Sequence, residues 1–230
     1  MSWTVPTSEE IRIMRLRDGP NYSIPQEYLS TMLRHETGAV YFPIYAIDGT
    51  QVGWNCRAAE QKIWSQTLFQ EPTPRFTSWT PHIAQIVHVN RKIMLVEGPF
   101  DALAMAPVVP WVISTNTARV QQEILEWCKM WQLHVFLALD NDLPDPKTNR
   151  KTGQEATIRL SKELSTICKV TTISWPPISP MRQINGVLDC GSPLKDPAQA
   201  YAVMGPGFHT HISHQVDMAI SSKAISVIHT

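Results

Sequence analysis

Two apolar runs that each stop at carboxylates constrain this chain most. Ile93-Met94-Leu95-Val96 runs into Glu97-Gly98-Pro99-Phe100-Asp101, and Val135-Phe136-Leu137-Ala138-Leu139 runs into Asp140-Asn141-Asp142. Runs of β-branched and long apolar residues with Gly, Pro or Asp at their ends read as strands buried on both faces, as in a parallel sheet. The ligand site of such a sheet lies beyond the carboxyl ends of its strands. If the two strands are neighbours, Glu97, Asp140 and Asp142 converge at one edge with nothing nearby in sequence to neutralise them. Close carboxylates repel unless a cation sits among them. The pattern therefore predicts a divalent-metal site of the oxygen-ligand kind.

The surroundings agree with that placement. From residue 92 the chain alternates strand (92–97), helix (100–106), strand (111–115), helix (118–131), strand (133–139), helix (153–167) and strand (169–175). This order predicts an α/β fold, a mostly parallel sheet with helices on both faces. Upstream, Val40 to Ile47 and Thr50 to Arg57 flank Asp48-Gly49, the pairing that favours a tight hairpin turn. That hairpin and a short helical entry segment predict a small α+β subdomain in front of the sheet. The proline-broken stretch 71–81 reads as an extended loop leading to the second unit. Beyond Pro176-Pro177 the chain is turn-rich, with a short helix over 196–204 opened by Asp196 as N-cap and Pro197 in the first turn. The expected division is 1–90, 91–205, and a C-terminal extension 206–230 whose structure the pattern does not specify. Its His209, His211 and His214 lack an acidic or cysteine partner and read as incidental.

Composition narrows the function classes. With 230 residues, 43% of them hydrophobic, the chain can bury a substantial core. No apolar run approaches a membrane span, and the N-terminus lacks the layout of a signal peptide, so a cytoplasmic location without a membrane partner is expected. Cys56, Cys128, Cys168 and Cys190 form no C-x-x-C pair, which disfavours a zinc ribbon or redox motif. The formal net charge is zero, so nucleic acid would have to be held by local patches. Candidates are Arg12, Arg15 and Arg17, then Arg57, Lys62, Arg75, Arg91 and Lys92.

Magnesium keeps several waters and is commonly shared between one or two carboxylates and a substrate phosphate. Asp140 and Asp142 lie two apart, so at an extended strand end both point to one side, where both can face Glu97. Two ions there would activate a 3′-hydroxyl and stabilise a leaving pyrophosphate; with water as nucleophile the same apparatus hydrolyses a phosphodiester. Aspartates after a strand also cap helices or solvate turns, and Asp-Asn-Asp-x-Pro-Asp-Pro suits a plain loop as well.

These residues resemble the TOPRIM fold shared by bacterial-type primases, type IA and II topoisomerases and certain nucleases. Glu97-Gly98-Pro99-Phe100-Asp101-Ala102-Leu103 resembles the family's Glu-Gly-x-x-Asp motif, Asp140-Asn141-Asp142 its Asp-x-Asp, and Gly153-Gln154-Glu155-Ala156 the Gly-x-x-Ala opening the next helix. The likeness spans about residues 92–205. It implies acid–base or metal chemistry at Glu97, metal binding at Asp140 and Asp142, a supporting place for Asp101 among the metal-site acids, and Mg²⁺ or Mn²⁺ as cofactor. Val52-Gly53 and Arg57 resemble the Gly-x-x-x-Arg strand pair that precedes the unit in primases, Pro74-Arg75-Phe76-Thr77-Ser78 resembles Pro-Lys-Tyr-x-x-Ser, and Lys195-Asp196-Pro197-Ala198 a late Lys-Asp-Pro or Lys-Asp-Ala stretch. Arg57 and Arg75 then take nucleotide or template contacts, and Asp196 adds a further metal-site acid.

The resemblance implies a phage-like primase core that makes short RNA primers from NTPs on a single-stranded DNA template. Two departures accompany it. The family's zinc-binding domain and a helicase Walker loop have no counterpart, so template choice is expected to involve a replicative helicase or a separate zinc-binding protein. The usual Ser-x-Gly-Thr appears as Ser114-Thr115-Asn116-Thr117, leaving Asn116 to hydrogen-bond where a glycine backbone would approach phosphate. Lys92, and Lys147 and Arg150 in the insert Leu143 to Lys151, complete the expected nucleotide or template contacts. The alternatives are a TOPRIM nuclease using the same acids on water, and a non-catalytic single-strand-binding or helicase-adaptor module.

Overall fold

A long buried strand, Val40–Ala46, anchors the first part of the sheet. In this computed structural model, which describes residues 3–14, 24–58, 64–69, 75–117, 120–142, 147, 149, 151–175, 183–184, 187–188 and 194–225, β1 (Trp3–Thr4) precedes helix α1 (Ser8–Met14) and pairs antiparallel with β2 (Leu33–His35). The predicted hairpin forms as β3 (Val40–Ala46) and β4 (Gln51–Arg57), extended by β5 (Trp64–Leu68). Its turn places Gly49 at φ 86°, a left-handed conformation that costs glycine nothing.

The expected loop at 71–81 is corrected by the structure. Its middle is a strand, β6 (Arg75–Thr77), antiparallel to β3 and joined by Thr77 opposite Ser114 to β8 (Val112–Ser114). The prolines at 74 and 81 fall outside the three residues that must donate to the ladder, and Phe76 is completely buried against Trp127, with ring centroids 6.0 Å apart. Burial of a phenylalanine on this scale stabilises by about 2–3 kcal/mol. A short β-strand therefore forms inside a segment that local punctuation marks as loop. Helix α2 (Ile83–Asn90), which the sequence pattern did not predict, follows it and packs Ile83 and Val87 inward.

The strand–helix alternation holds in order. β7 (Lys92–Val96), α3 (Pro99–Met105), β8, α4 (Gln122–Met130), β9 (His134–Leu137), α5 (Thr152–Ser165) and β10 (Val170–Thr172) follow one another, and β7 runs parallel to both β8 and β9. The sheet order is β1-β2-β3-β6-β8-β7-β9-β10, with β4 and β5 continuing from β3, so one ten-stranded mixed sheet carries both halves. A separate short ladder joins β11 (Gln183–Ile184) to β12 (Val187–Leu188). Ile93 to Val96 and Val135 to Leu139 are almost wholly buried, as strands covered on both faces require.

The predicted helix at 196–204 is α6 (Pro197–Met204), and the chain continues into α7 (Pro206–Ile225). Two of the three C-terminal histidines contact neighbouring elements, and His214 is exposed. His209 stacks on Tyr201 with centroids 4.6 Å apart and meets the Ala104 carbonyl, and burial holds its imidazole below the usual range. His211 lies 3.2 Å from the Ser174 carbonyl. Among the described residues, no helix is long and apolar enough to cross a membrane.

Candidate active site

Adjacency of β7 and β9 brings the two acidic strand ends together. Glu97 follows β7, and its Oε1 accepts the Asp140 backbone N–H at 3.2 Å from the end of β9. Burial first, then the charge of Asp140, pushes the Glu97 carboxyl up to about 7. Burial and the charge of Asp196 push Asp140 up to about 6, opposed by an ammonium whose place beside Asp140 the sequence pattern does not predict. That ammonium belongs to Lys195, whose Nζ donates to Asp140 Oδ2 at 2.5 Å and lies 3.5 Å from Asp142 Oδ1. Burial alone would lower the Lys195 pKa; Asp140, Asp196 and Asp142 reverse that and hold it above its ordinary value. At neutral pH Asp140 is ionised and paired with the Lys195 ammonium.

The Asp-x-Asp turn is fixed by the start of α5. Gly153 N–H donates to Asp142 Oδ2 at 2.9 Å, and Gln154 Nε2 reaches Asn141 Oδ1 and the Asp142 carbonyl. A Cβ on Gly153 would stand 2.0 Å from the Asp140 carbonyl oxygen, so the helix can approach this turn only with glycine there. Asn141 N–H in turn donates to the Lys195 carbonyl at 2.5 Å.

Asp101 and Asp196, expected as further metal oxygens, hold backbone instead. Asp101 is 6% exposed; its Oδ2 accepts Gly98 N–H at 2.9 Å and its Oδ1 accepts Ala198 N–H at 3.1 Å. It thereby ties the turn after Glu97 to the first turn of α6. Asp196 is the N-cap of α6, accepting Gln199 N–H at 2.7 Å, while its charge still reaches Asp140 and Lys195.

The donor set is hard oxygen, and Asp140 Oδ1 is buried without a hydrogen-bond partner. That orphaned oxygen and the proximity of Glu97, Asp140 and Asp142 fit a hard divalent cation. Among the described residues, however, no three acidic, histidine or cysteine side chains already close around a common point. Lys195 holds the place between Asp140 and Asp142, so the carboxylates are neutralised by a residue distant in sequence.

Asn116 stands where the glycine is missing, and it adopts the glycine-like conformation at φ 61°. Its Oδ1 accepts from Asn55 Nδ2 at 2.9 Å, Thr77 Oγ1 at 3.0 Å and Ser114 Oγ at 3.2 Å, and Ser114 Oγ also lies 2.9 Å from the Glu97 carbonyl. This hub links β4 and β6 to the strand end that bears Glu97. Arg57 sits on the same face of β4 as Asn55, its guanidinium 5.3 Å from the ring centre of Trp64 on β5. Trp64 is 38% exposed, an aromatic surface the sequence reading did not single out.

The remaining expected contacts divide. Lys92 begins β7 opposite His134, roughly 16 Å from Glu97 at about 3.3 Å per residue, and the structure does not bring it to the carboxylates. Arg75 starts β6, paired with Ala46. Lys147 is exposed, and Arg150, Arg15, Arg17 and Lys62 lie outside the described residues. A cavity of about 390 Å³, lined by Asp140, Asn141, Gln154, Ile173 and Trp175 among others, opens beside the site.

No protein-family model matches the chain, and no curated protein matches it. Solved structures do. The Aquifex aeolicus primase, in a crystal structure of its zinc-binding and RNA polymerase domains, aligns over 78% of this chain and 40% of its own at a TM-score of 0.53 and 16% identity. The RNA polymerase domain of Mycobacterium tuberculosis primase aligns over 80% of this chain and 58% of its own at a TM-score of 0.52 and 15% identity. The chain thus spans only about half the length of these structures. What they share with it is the fold: a mixed α/β sheet with helices, of the kind seen in primase RNA polymerase domains.

Proposed function

We propose that this chain is a primase catalytic core on a TOPRIM-like unit, synthesising short RNA primers from NTPs on single-stranded DNA with Mg²⁺ or Mn²⁺. The observation that carries the reading is the meeting of Glu97 with Asp140 and Asp142 at adjacent parallel strand ends, with Asp140 Oδ1 buried and unpaired. The primase-type fold of the neighbours supports it. A divalent ion held by Asp140 and Asp142 would supply charge neutralisation for nucleotidyl transfer. Glu97, whose carboxyl burial and the charge of Asp140 push up to about 7 in the metal-free chain, would either join those two as a ligand or accept the proton of an attacking hydroxyl. Gly153 and Asn141 keep the Asp-x-Asp turn in place, and Arg57 presents a cation on the β4 face for nucleotide or template phosphate. A replicative helicase or a zinc-binding protein is the expected source of template choice, and a phage replication context matches the motif wording.

Incubation with varied single-stranded templates, labelled NTPs and Mg²⁺ or Mn²⁺ tests this, with a helicase partner supplied. Short oligonucleotides that vanish in Asp140→Ala are expected. Metal-dependent cleavage without NTPs would replace the reading with a nuclease. Strand binding unchanged by Asp140→Ala, without synthesis or cleavage, would replace it with an adaptor.

A further inference from the structure

We propose that Lys195 is a built-in stand-in for the divalent cation: its ammonium bridges Asp140 and Asp142 in the metal-free protein, the metal displaces it, and the displaced ammonium binds the substrate's triphosphate. The inference rests on the reading of Asp140 and Asp142 as metal ligands, and it concerns a residue that reading does not use. Lys195 Nζ lies 2.5 Å from Asp140 Oδ2 and 3.5 Å from Asp142 Oδ1, on the oxygens a cation would take. Only the side chain has to move. The Lys195 backbone is pinned on both sides, its N–H donating to Gln199 Oε1 at 2.6 Å and its carbonyl accepting Asn141 N–H at 2.5 Å.

The Lys195 side chain is 44% exposed while the Asp140 side chain is 12% exposed, so the ammonium has a solvent-facing way out that the carboxylate lacks. Exchange replaces one positive charge by two among Glu97, Asp140, Asp142 and Asp196, whose charges all bear on this point. Once out, the ammonium remains tethered at the mouth of the site. A flexible cationic stem there suits a phosphate chain, which a lysine engages as a point charge.

The test is Mn²⁺ binding followed by the electron paramagnetic resonance of free Mn²⁺, on the full chain without nucleotide, so that no catalysis is needed. Lys195→Met should bind Mn²⁺ about tenfold more tightly than the wild type, since a charge-assisted competitor has gone. Lys195→Arg, which keeps the charge, should stay near wild type, and the same Met change at exposed Lys162 should alter affinity by less than about twofold. With Mn²⁺ saturating, Lys195→Met should bind inorganic triphosphate roughly tenfold more weakly. A folded Lys195→Met protein, judged by its melting transition, with unchanged Mn²⁺ affinity overturns the exchange. Unchanged triphosphate affinity overturns the second half. Absence of Mn²⁺ binding in every variant overturns the metal reading along with this inference, whereas the predicted shift in a protein that makes no primers overturns only the primase reading.

Discussion

The parallel half of the sheet and the antiparallel half place their charged groups by different means. At the ends of β7 and β9, three of the four carboxylates are held by backbone amides, Glu97 by Asp140, Asp142 by Gly153, and Asp101 by Gly98 and Ala198, while Asp140 rests on the Lys195 ammonium. On β4 and β5, Arg57 is held by the face of Trp64, and Asn55 by the side chain of Asn116. Backbone donors survive nearly every substitution, because every residue but proline carries the same N–H. Side-chain partners give an adaptable surface. On the proposed reading the first region carries the chemistry and the second holds the ligand, so substitutions in the two should fail in different ways.

The largest separation is expected at Asp140. Asp140→Asn keeps the shape and removes the charge, so primer synthesis should fall by roughly 10³-fold, as when one preorganised electrostatic group is lost. Its melting temperature should stay within a few degrees of wild type, because a buried carboxylate charge is removed and the Lys195 ammonium left behind is 44% exposed and can turn to water. A loss of activity no greater than that of Arg57→Ala would break the comparison.

Gly153→Ala probes the backbone scaffold without touching a charge. The new Cβ would meet the Asp140 carbonyl oxygen at 2.0 Å, so α5 or the Asp-x-Asp turn must shift. A destabilisation of about 2–3 kcal/mol in urea unfolding is expected, with synthesis reduced even where the protein is fully folded. Unchanged stability would mean that the turn is looser than its hydrogen bonds indicate.

How much of this was legible in the sequence follows from the same contrast. Strands β7 and β9 were readable because burial on both faces leaves an unbroken apolar run, and the carboxylates were readable because they sit where such runs stop. The stretch that begins at Lys195 was readable as well, but the pairing of Lys195 with Asp140 was not, because the two lie 55 positions apart and nothing local says to which loop a lysine returns. Asp196 was legible as the N-cap of α6 because Pro197 follows it, whereas Asp101 was seen as a charge and not as the clamp on Gly98 and Ala198, since a carboxylate's partner depends on which helix start lies beside it. β6 was hidden by its flanking prolines, and its pairing needed Phe76 to find the core. At Asn116 the missing glycine was visible, while the donors that its Oδ1 collects come from strands distant in sequence.

Glu97 sharpens the comparison through pH. Its pKa is raised from 4.5 to about 7, so between those values the folded protein binds a proton that the unfolded chain does not. Stability from this group is therefore fully present below about pH 4.5 and lost as pH rises through about 7. Glu97→Gln cannot ionise and escapes that loss. In metal-free buffer the variant should gain on the wild type by of the order of 2 kcal/mol between pH 4.5 and 8, discounted for partial exposure. A pH-independent difference in urea midpoints would show that Glu97 is more solvated than its neighbours imply.

The smallest effect belongs to the antiparallel half. Arg57 meets the Trp64 ring at 5.3 Å on a face that Asn55 shares, so removing it takes away one cation and part of a stacking surface while leaving the carboxylates and their amide donors where they are. Arg57→Ala should weaken single-stranded DNA or NTP binding by about 1 kcal/mol, with a shallower salt dependence, and leave the rate at saturating ligand within about threefold of wild type. Arg57→Lys should restore the salt dependence but not the full affinity, because an ammonium keeps the charge and loses the planar stacking on Trp64. A fall in the saturated rate as deep as that of Asp140→Asn would move Arg57 from holding the ligand to the chemistry itself, and the distinction between the two halves would collapse.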